Sequence, residues 1–533
     1  MKMSGLFRGV AVAALLAGGG SAFAADLPSM AAAPSPLLSS DNFFGRLYHA
    51  YADEWGKDAP VPDPNALPGR RGTDQIAPQP ETVPPYPFTE WPFGGASPIG
   101  ASIPNAADTP FQSAIAPTSS APGKWLYDNH IQIYGWVTAG GNVATSNVYG
   151  GNAPAAYSYV PNILQLDQAV AYIERVPDTV QQNHWDWGFR VSGIYGETYH
   201  YTTAYGLFSE QYDVRNHFVG YDMPMVYGEL YLPQFAEGLL IRLGRYISIP
   251  DTEAQLAPNN YMYSHSMTYA LDNYTNDGLL FTLKYTKNWQ FQAGVTVGTE
   301  TEPWNSRIIS VPGYTGKFDP GEQASGTASI QYMTDSGNDT FYGIINGYNK
   351  GNWGYNNLQW QGGTWSHKFN DQWHITYEVY YEYQRDVPNY AATGGSYYGT
   401  AFAGMSQVPG SNPPFQAQCS SNPNVTKCTA GALGMVSYLN YKISPMDNLS
   451  VRMEYYDDYQ GQRTGYKTRY FNQGIGWQHW FSPSIELRPE IAWYHSLDTA
   501  AFNNNPWQYN MGIPEASAKH EDVIVSTDLT FHW

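Results

Sequence analysis

From about Asn129 to its last residue, this chain repeats runs of roughly eight to twelve residues that alternate apolar and polar side chains. Successive side chains of a strand point to opposite faces, so each run encodes a strand with one greasy and one polar side. In the last run, Val523, Val525, Thr527, Leu529, Phe531 and Trp533 share one face. Ile524, Ser526, Asp528, Thr530 and His532 share the other. Trp289, Phe291, Ala293, Val295 and Val297 oppose Gln290, Gln292 and Thr296 in the same way. Each run is about as long as a tilted strand needs to be to cross a bilayer.

The charges follow the pattern. Arg190, Glu378, Arg452, Glu454, Glu486, Arg488 and Glu490 all fall on the non-apolar face of their runs. An arginine at mid-bilayer on a lipid-facing position costs about 2–4 kcal/mol, so a membrane barrel must keep its charges inside. A soluble β-sandwich could alternate too, with its charges in water. Composition separates the two. Aromatic residues make up 16%, with 44 Tyr and 17 Trp, and charged residues only 14%. A soluble domain carries about 25% charge, whereas a barrel has an uncharged lipid face and Tyr/Trp belts at both interfaces. The mean hydropathy of −0.43 suits a barrel as well, because only every second strand residue has to be apolar.

The spacers differ in length. Gln234–Glu237, Thr286–Asn288, Asn370–Asp371, Ser444–Asp447 and Phe481–Pro483 read as tight turns. The stretches 145–162, 199–222, 249–276, 299–324, 385–431 and 496–519 are long and mostly rich in Gly, Asn, Tyr and Pro. Short turns on one side and long loops on the other are the outer-membrane arrangement. The pattern predicts an all-β fold: a transmembrane antiparallel barrel of about 16 strands, wide enough for an aqueous lumen. The strands should start near 130, 164, 185, 224, 239, 278, 289, 326, 339, 354, 372, 432, 448, 465, 484 and 522. The last should pair with the first, placing Trp533 in the aromatic girdle.

Upstream the chain differs. Lys2 and Arg8, the apolar Val10–Ala17 and the small-x-small Ala22-Phe23-Ala24 read as a cleaved export signal over 1–24. Residues 25–124 hold 18 of the 38 prolines and little alternation. Within them Phe44, Leu47, Tyr48, Tyr51 and Trp55 recur at helical spacing behind Ser40 or Asp41 as cap. This predicts a Pro-rich extension, read first as a short amphipathic helix in a mostly disordered leader and alternatively as a helix docked on or inside the barrel or lying against the periplasmic leaflet. The segment that follows, through Pro122, should be extended and linker-like. The barrel should occupy 125–533.

Chemical motifs are sparse. Ser264-His265-Ser266 could be imagined as hydrolase machinery, but a satisfied polar loop is the simpler reading. The twelve His show no HxxxH or HxH spacing, so neither a metal nor a cofactor is expected. Cys419 and Cys428, in one Pro/Asn/Ser-rich stretch, are read as a local disulfide of an exported loop. Without Lys2 and Arg8, 25 basic residues face 46 acidic ones, which argues against nucleic acid as a partner.

LGRYISIP from Leu243, APNNYMYSHSM from Ala257, DGLLFTLKY from Asp277 and WQFQAGVTVG from Trp289 resemble the bacterial β-barrel porin family described as OmpL-like, or porin-2. So do IQIYGWVTAGGNV from Ile131 and the Phe44–Trp55 helix. The resemblance covers about residues 125–533. It implies an outer-membrane porin and carries over no catalytic set. The expected function is a passive channel for small hydrophilic solutes or cations. Its pore wall would be Arg190, Lys284, Arg452 and Arg488 opposed by Glu378, Glu454, Glu486 and Glu490. Outer-membrane lipid, the barrel assembly machinery and further copies of the chain are the expected partners. A barrel enzyme, an adhesin binding through 385–431 and a secreted soluble β-protein are the alternatives.

Overall fold

A computed structural model describes residues 42–56 and 110–533, except chiefly 209–210, 212–216, 248–251, 305–308, 311–316, 319–322, 352–357, 394–415, 505–517 and a few single positions. The expected export signal and most of the Pro-rich extension lie outside the described residues.

Seventeen hydrogen-bonded segments form one closed antiparallel sheet of sixteen staves. These are β1 Ile131–Ala144, β2 Leu164–Arg175, β3 Asp186–Gly196, β4 Val226–Leu232 with its outer piece Gly220–Asp222, β5 Leu239–Ile247 and β6 Thr275–Lys284. Next come β7 Trp289–Thr299, β8 Ser325–Met333, β9 Asp339–Tyr348, β10 Gln359–Lys368 and β11 Trp373–Pro388. The last five are β12 Lys427–Ser444, β13 Asp447–Asp458, β14 Arg469–Ser482, β15 Ile485–Ser496 and β16 Glu521–His532. Both pieces of β4 pair with β3. Pro224 stands between them and has no N–H for the ladder, which accounts for the break.

Each expected strand start has its counterpart. The largest shifts run both ways: β10 begins at Gln359, after the expected 354, and β14 at Arg469, after the expected 465, while β12 begins before the expected 432. β11 runs on to Pro388 and β12 begins at Lys427, inside the stretch expected as loop. The barrel closes where expected: β1 pairs with β16 from Trp136↔His532 to Ala144↔Ile524. Gly135 and Trp533 then exchange both backbone hydrogen bonds, at 2.8 Å each. Closure removes the sheet edges that a bilayer would not tolerate.

The alternation sets the two surfaces. On β16, Val525 and Phe531 are exposed while Ile524, Ser526, Asp528 and Thr530 are buried. On β13, Arg452 and Glu454 are buried and Met453 is exposed. Among the described residues no helix is long and apolar enough to cross a membrane, so the strands do the crossing. Short turns gather at one rim, which barrel convention makes periplasmic, and the long loops at the other. Among the described residues three helices lie before β1: α1 Phe43–Glu54, α2 Pro110–Ile115 and α3 Ala121–Asp128, so the stretch leading to Pro122 is in part helical where extended chain was expected. Asn42 caps α1, its side chain accepting from the Gly45 amide at 2.8 Å. Cys419, in the loop before β12, is joined by a disulfide to Cys428 at the start of that strand.

Candidate functional site

The loop between β5 and β6 does not stay outside. Every side chain described between Thr252 and Tyr274 is buried, although the segment carries no strand. Its entry is set on β5. Gly244 has φ +132°, and a Cβ there would meet the Val226 carbonyl oxygen at 2.3 Å. Only glycine adopts that turn without strain. Just past it, Arg245 lies buried and donates to the Thr202 carbonyl at 2.6 Å and to Asp222 at 2.7 Å. Its other arm lies 3.3 Å from Glu302. One guanidinium thus ties the start of the inserted loop to both neighbouring long loops.

Inside the barrel the loop makes one helical turn, α4 Met267–Ala270. Ser266 caps it by accepting from the Tyr269 amide at 2.9 Å. The Ser266 hydroxyl itself donates to Glu253, which also accepts from Tyr438 at 2.6 Å. These bonds satisfy the Ser266 hydroxyl and the Glu253 carboxylate away from water.

The wall of β11–β15 grips this loop with the residue types found on its polar face. Arg452 donates to the carbonyl and the hydroxyl oxygen of Ser264, at 2.8 and 2.9 Å. Glu490 accepts from the Ser264 amide at 2.9 Å and from its hydroxyl. Arg488 holds the Ala257 and Asn260 carbonyls at 2.5 and 2.8 Å while pairing with Asp528. Glu454 accepts from the amide and hydroxyl of Thr268, at 2.5 and 2.9 Å. Glu378 takes the Thr252 amide at 2.7 Å. Tyr380 donates to the Thr268 carbonyl at 2.7 Å. Gly474 and Gly476 on β14 make room for Met262, whose side chain would crowd a Cβ at 3.0–3.1 Å. Across the lumen, His265 stacks on Tyr157 of the first long loop, with ring centroids 4.0 Å apart.

Five of the eight predicted wall residues therefore meet at one loop: Glu378, Arg452, Glu454, Arg488 and Glu490. The other three do not join them. Arg190 on β3 bonds Glu174, with Nε to Oε2 at 2.6 Å. Glu486 accepts from Gln478 at 2.9 Å, low on β15. Lys284 ends β6 at the short-turn rim. Sequence reasoning missed Arg245, Glu253, Tyr380 and Arg463. Arg463 comes from the loop after β13, donates to the Leu271 carbonyl at 3.0 Å and pairs with Glu382 at 3.2 Å. The φ-demanding Gly in LGRY was the available signal for Arg245; Arg463 sits outside any alternating run and left none.

The Ser264 and Ser266 hydroxyls are each spent on a carboxylate, Glu490 and Glu253. That is a loop seat in geometry, with the nucleophile-to-base pairing of a hydrolase replaced by anchoring bonds. No group of three or more His, Cys, Asp or Glu among the described residues is placed to hold a metal ion.

A sixteen-strand barrel narrowed by an inserted loop is porin architecture, and the sequence matches a family model over residues 130–531, "Putative beta-barrel porin-2, OmpL-like". The chain belongs to this family. It is an outer-membrane channel barrel of the OmpL-like class. Comparison with curated proteins finds no match. Among solved structures, the outer membrane channel DcaP of Acinetobacter baumannii is 10% identical with a TM-score of 0.43, covering 75% of this chain and 97% of its own. An anion-selective porin from Comamonas acidovorans is 8% identical with a TM-score of 0.43, covering 76% and 99%. The trimer form of OmpT from Vibrio cholerae is 8% identical with a TM-score of 0.42, covering 76% and 99%. At these scores the likenesses add nothing to what the strand register establishes.

Proposed function

We propose that this OmpL-like barrel is a passive diffusion channel for small hydrophilic solutes, sieved by the loop 252–274 and preferring cations. The observation that carries it is the seat of that loop: Arg452, Glu490, Arg488, Glu454 and Glu378 fix it across the lumen. A loop anchored at five points narrows the passage without relying on its own rigidity. The charge around it is unbalanced. Glu253, Glu378, Glu382, Glu454, Glu490 and Asp528 stand against Arg452, Arg463 and Arg488. Rings of carboxylates set cation preference in pores, and fixed charge behind low-dielectric walls concentrates counter-ions. On this reading the charged rows act on solute through the loop they hold.

The test is planar-bilayer recording from refolded full-length protein. Discrete conductance steps are expected, with a reversal potential of cation sign in a KCl gradient. Absence of any conductance would end the channel reading, and an anion-sign potential would end the cation preference.

A further inference from the structure

Helix α1 runs along the periplasmic rim, outside the barrel wall. Its partners lie on successive strand ends. Gly56, just after it, donates to the Phe481 carbonyl at the end of β14, at 3.0 Å. Glu54 accepts from Ser484 in the β14–β15 turn at 2.6 Å. Tyr51 donates to the His532 carbonyl at the end of β16, also at 2.6 Å. Arg46 reaches the Ala114 carbonyl of α2 at 2.8 Å, and α2 in turn holds β1 through Gln112 and the Ile133 amide. A helix touching β14, the next turn and β16 in order lies around the circumference, parallel to the membrane plane.

Its aromatic side is mostly exposed. Phe44, Tyr48 and Trp55 recur at i, i+4 and i+11, on one face at 100° per residue. They are 77%, 69% and 59% exposed. Arg46, His49 and Asp53 fall on the opposite side. The aromatic side is continuous with the barrel's lipid-facing girdle. Trp55 stacks flat on Phe481, centroids 5.5 Å apart and 4° between planes. At the other end Phe43 contacts Phe44 at 5.2 Å and Phe111 at 5.9 Å, and Phe111 meets Trp533 at 4.7 Å. Phe481 and Trp533 both stand on the outward face of their strands.

We infer that α1 is an interfacial lipid-binding helix, seating Phe44, Tyr48 and Trp55 in the phospholipid of the periplasmic leaflet beside the β16–β1 seam. Amphipathic helices bind in the interface plane with the apolar face among headgroups and upper acyl chains. Trp and Tyr favour that depth because one end is apolar and the other polar. The polar face of α1 carries both charge signs, so the contact is apolar and salt-insensitive, suited to zwitterionic lipid.

The test is site-directed spin labelling of full-length protein refolded into phosphatidylcholine vesicles. Tyr48→Cys takes a nitroxide, while Cys419 and Cys428 are held in their disulfide. Asp53→Cys is the opposite-face control. The label at 48 should be several-fold more accessible to oxygen than to a nickel chelate, with the order reversed at 53, and 0.5 M salt should change neither. Chelate-dominated access at 48 overturns the inference. So does spin–spin broadening that vanishes when labelled protein is diluted with unlabelled, because the face is then covered by a second copy. Phe44→Ser with Tyr48→Ser should expose 42–56 to protease in vesicles at least ten-fold faster while barrel heat-modifiability persists. Unchanged protection counts against a lipid seat.

Discussion

Arg452 and Ser264 are 188 residues apart in sequence and meet in the middle of the barrel, the guanidinium spanning the serine's carbonyl and hydroxyl oxygens at 2.8 and 2.9 Å. That contact joins the strand wall to the loop that narrows the lumen. Removing one partner of a buried charge network leaves the others uncompensated and costs about 3–5 kcal/mol. Arg452→Met should therefore free the loop and leave the Glu490 carboxylate at Ser264 without the cation that shares that serine. Single-channel recordings should show larger and noisier conductance, and the folded form should convert to the heat-denatured one at lower temperature. Arg452→Lys keeps the charge but lacks the fork, so it should fall between. Wild-type conductance and stability in Arg452→Met would separate the loop from this anchor.

The same residue shows where sequence reading stops. Alternation placed Arg452, Glu454, Arg488 and Glu490 on the inner face, because a strand's two-residue period assigns faces from local order alone. It also found the closing pair β1–β16, since both runs are two-faced along their whole length. The occupant of the inner face was invisible. Residues 252–274 have neither a two-residue nor a helical period, and their partners lie on strands reached only after the barrel closes. Thr268 and Ser264 bond to Glu454 and Glu490, 186 and 226 residues away. Nothing local distinguishes a glutamate that faces water from one that holds a backbone amide.

The outward assignment has its own measurement. Val525 is half exposed on β16, between the buried Ile524 and Ser526. Val525→Arg puts a guanidinium against lipid and should cost about 2–4 kcal/mol if it lies near mid-bilayer. Denaturant titration in vesicles reads this directly, with Val525→Leu as the near-neutral control. An Arg at 525 without cost would mean that this face meets water.

The disulfide loop should be separable from the channel. Asn389 also holds it, donating to the Val425 carbonyl at 2.6 Å and accepting from the Cys419 amide at 3.2 Å. Closing so short a loop is worth about 3 kcal/mol at most in the chain-entropy view. Cys419→Ser with Cys428→Ser should leave conductance unchanged and expose 416–428 only modestly to protease. Adding Asn389→Ala should release the segment, seen as rapid cleavage there with the barrel still folded.

Acidity should act on the loop after β3 with an optimum. Glu197 and His200 are fully buried in the 3₁₀ turn Glu197–Tyr201. Burial pushes the Glu197 carboxyl well above its usual 4.5, with Asp167 adding to the shift. Burial lowers His200 from 6.5 to about 3, against the pull of the Glu197 carbonyl. His200, lowered in the folded turn, contributes stability that is full above 6.5 and is lost as pH falls towards 3, an acid limb of about 1.4 kcal/mol per pH unit at most. Glu197, raised in the folded turn, contributes stability that is full below 4.5 and is lost as pH rises through its folded value, an alkaline limb. The two limbs oppose each other, so hydrogen exchange of amides 197–204 should show greatest protection at an intermediate pH. Glu197→Gln should remove the alkaline limb and His200→Gln the acid limb; a single-limbed profile in the unmodified chain would mean that only one of the two groups is held neutral.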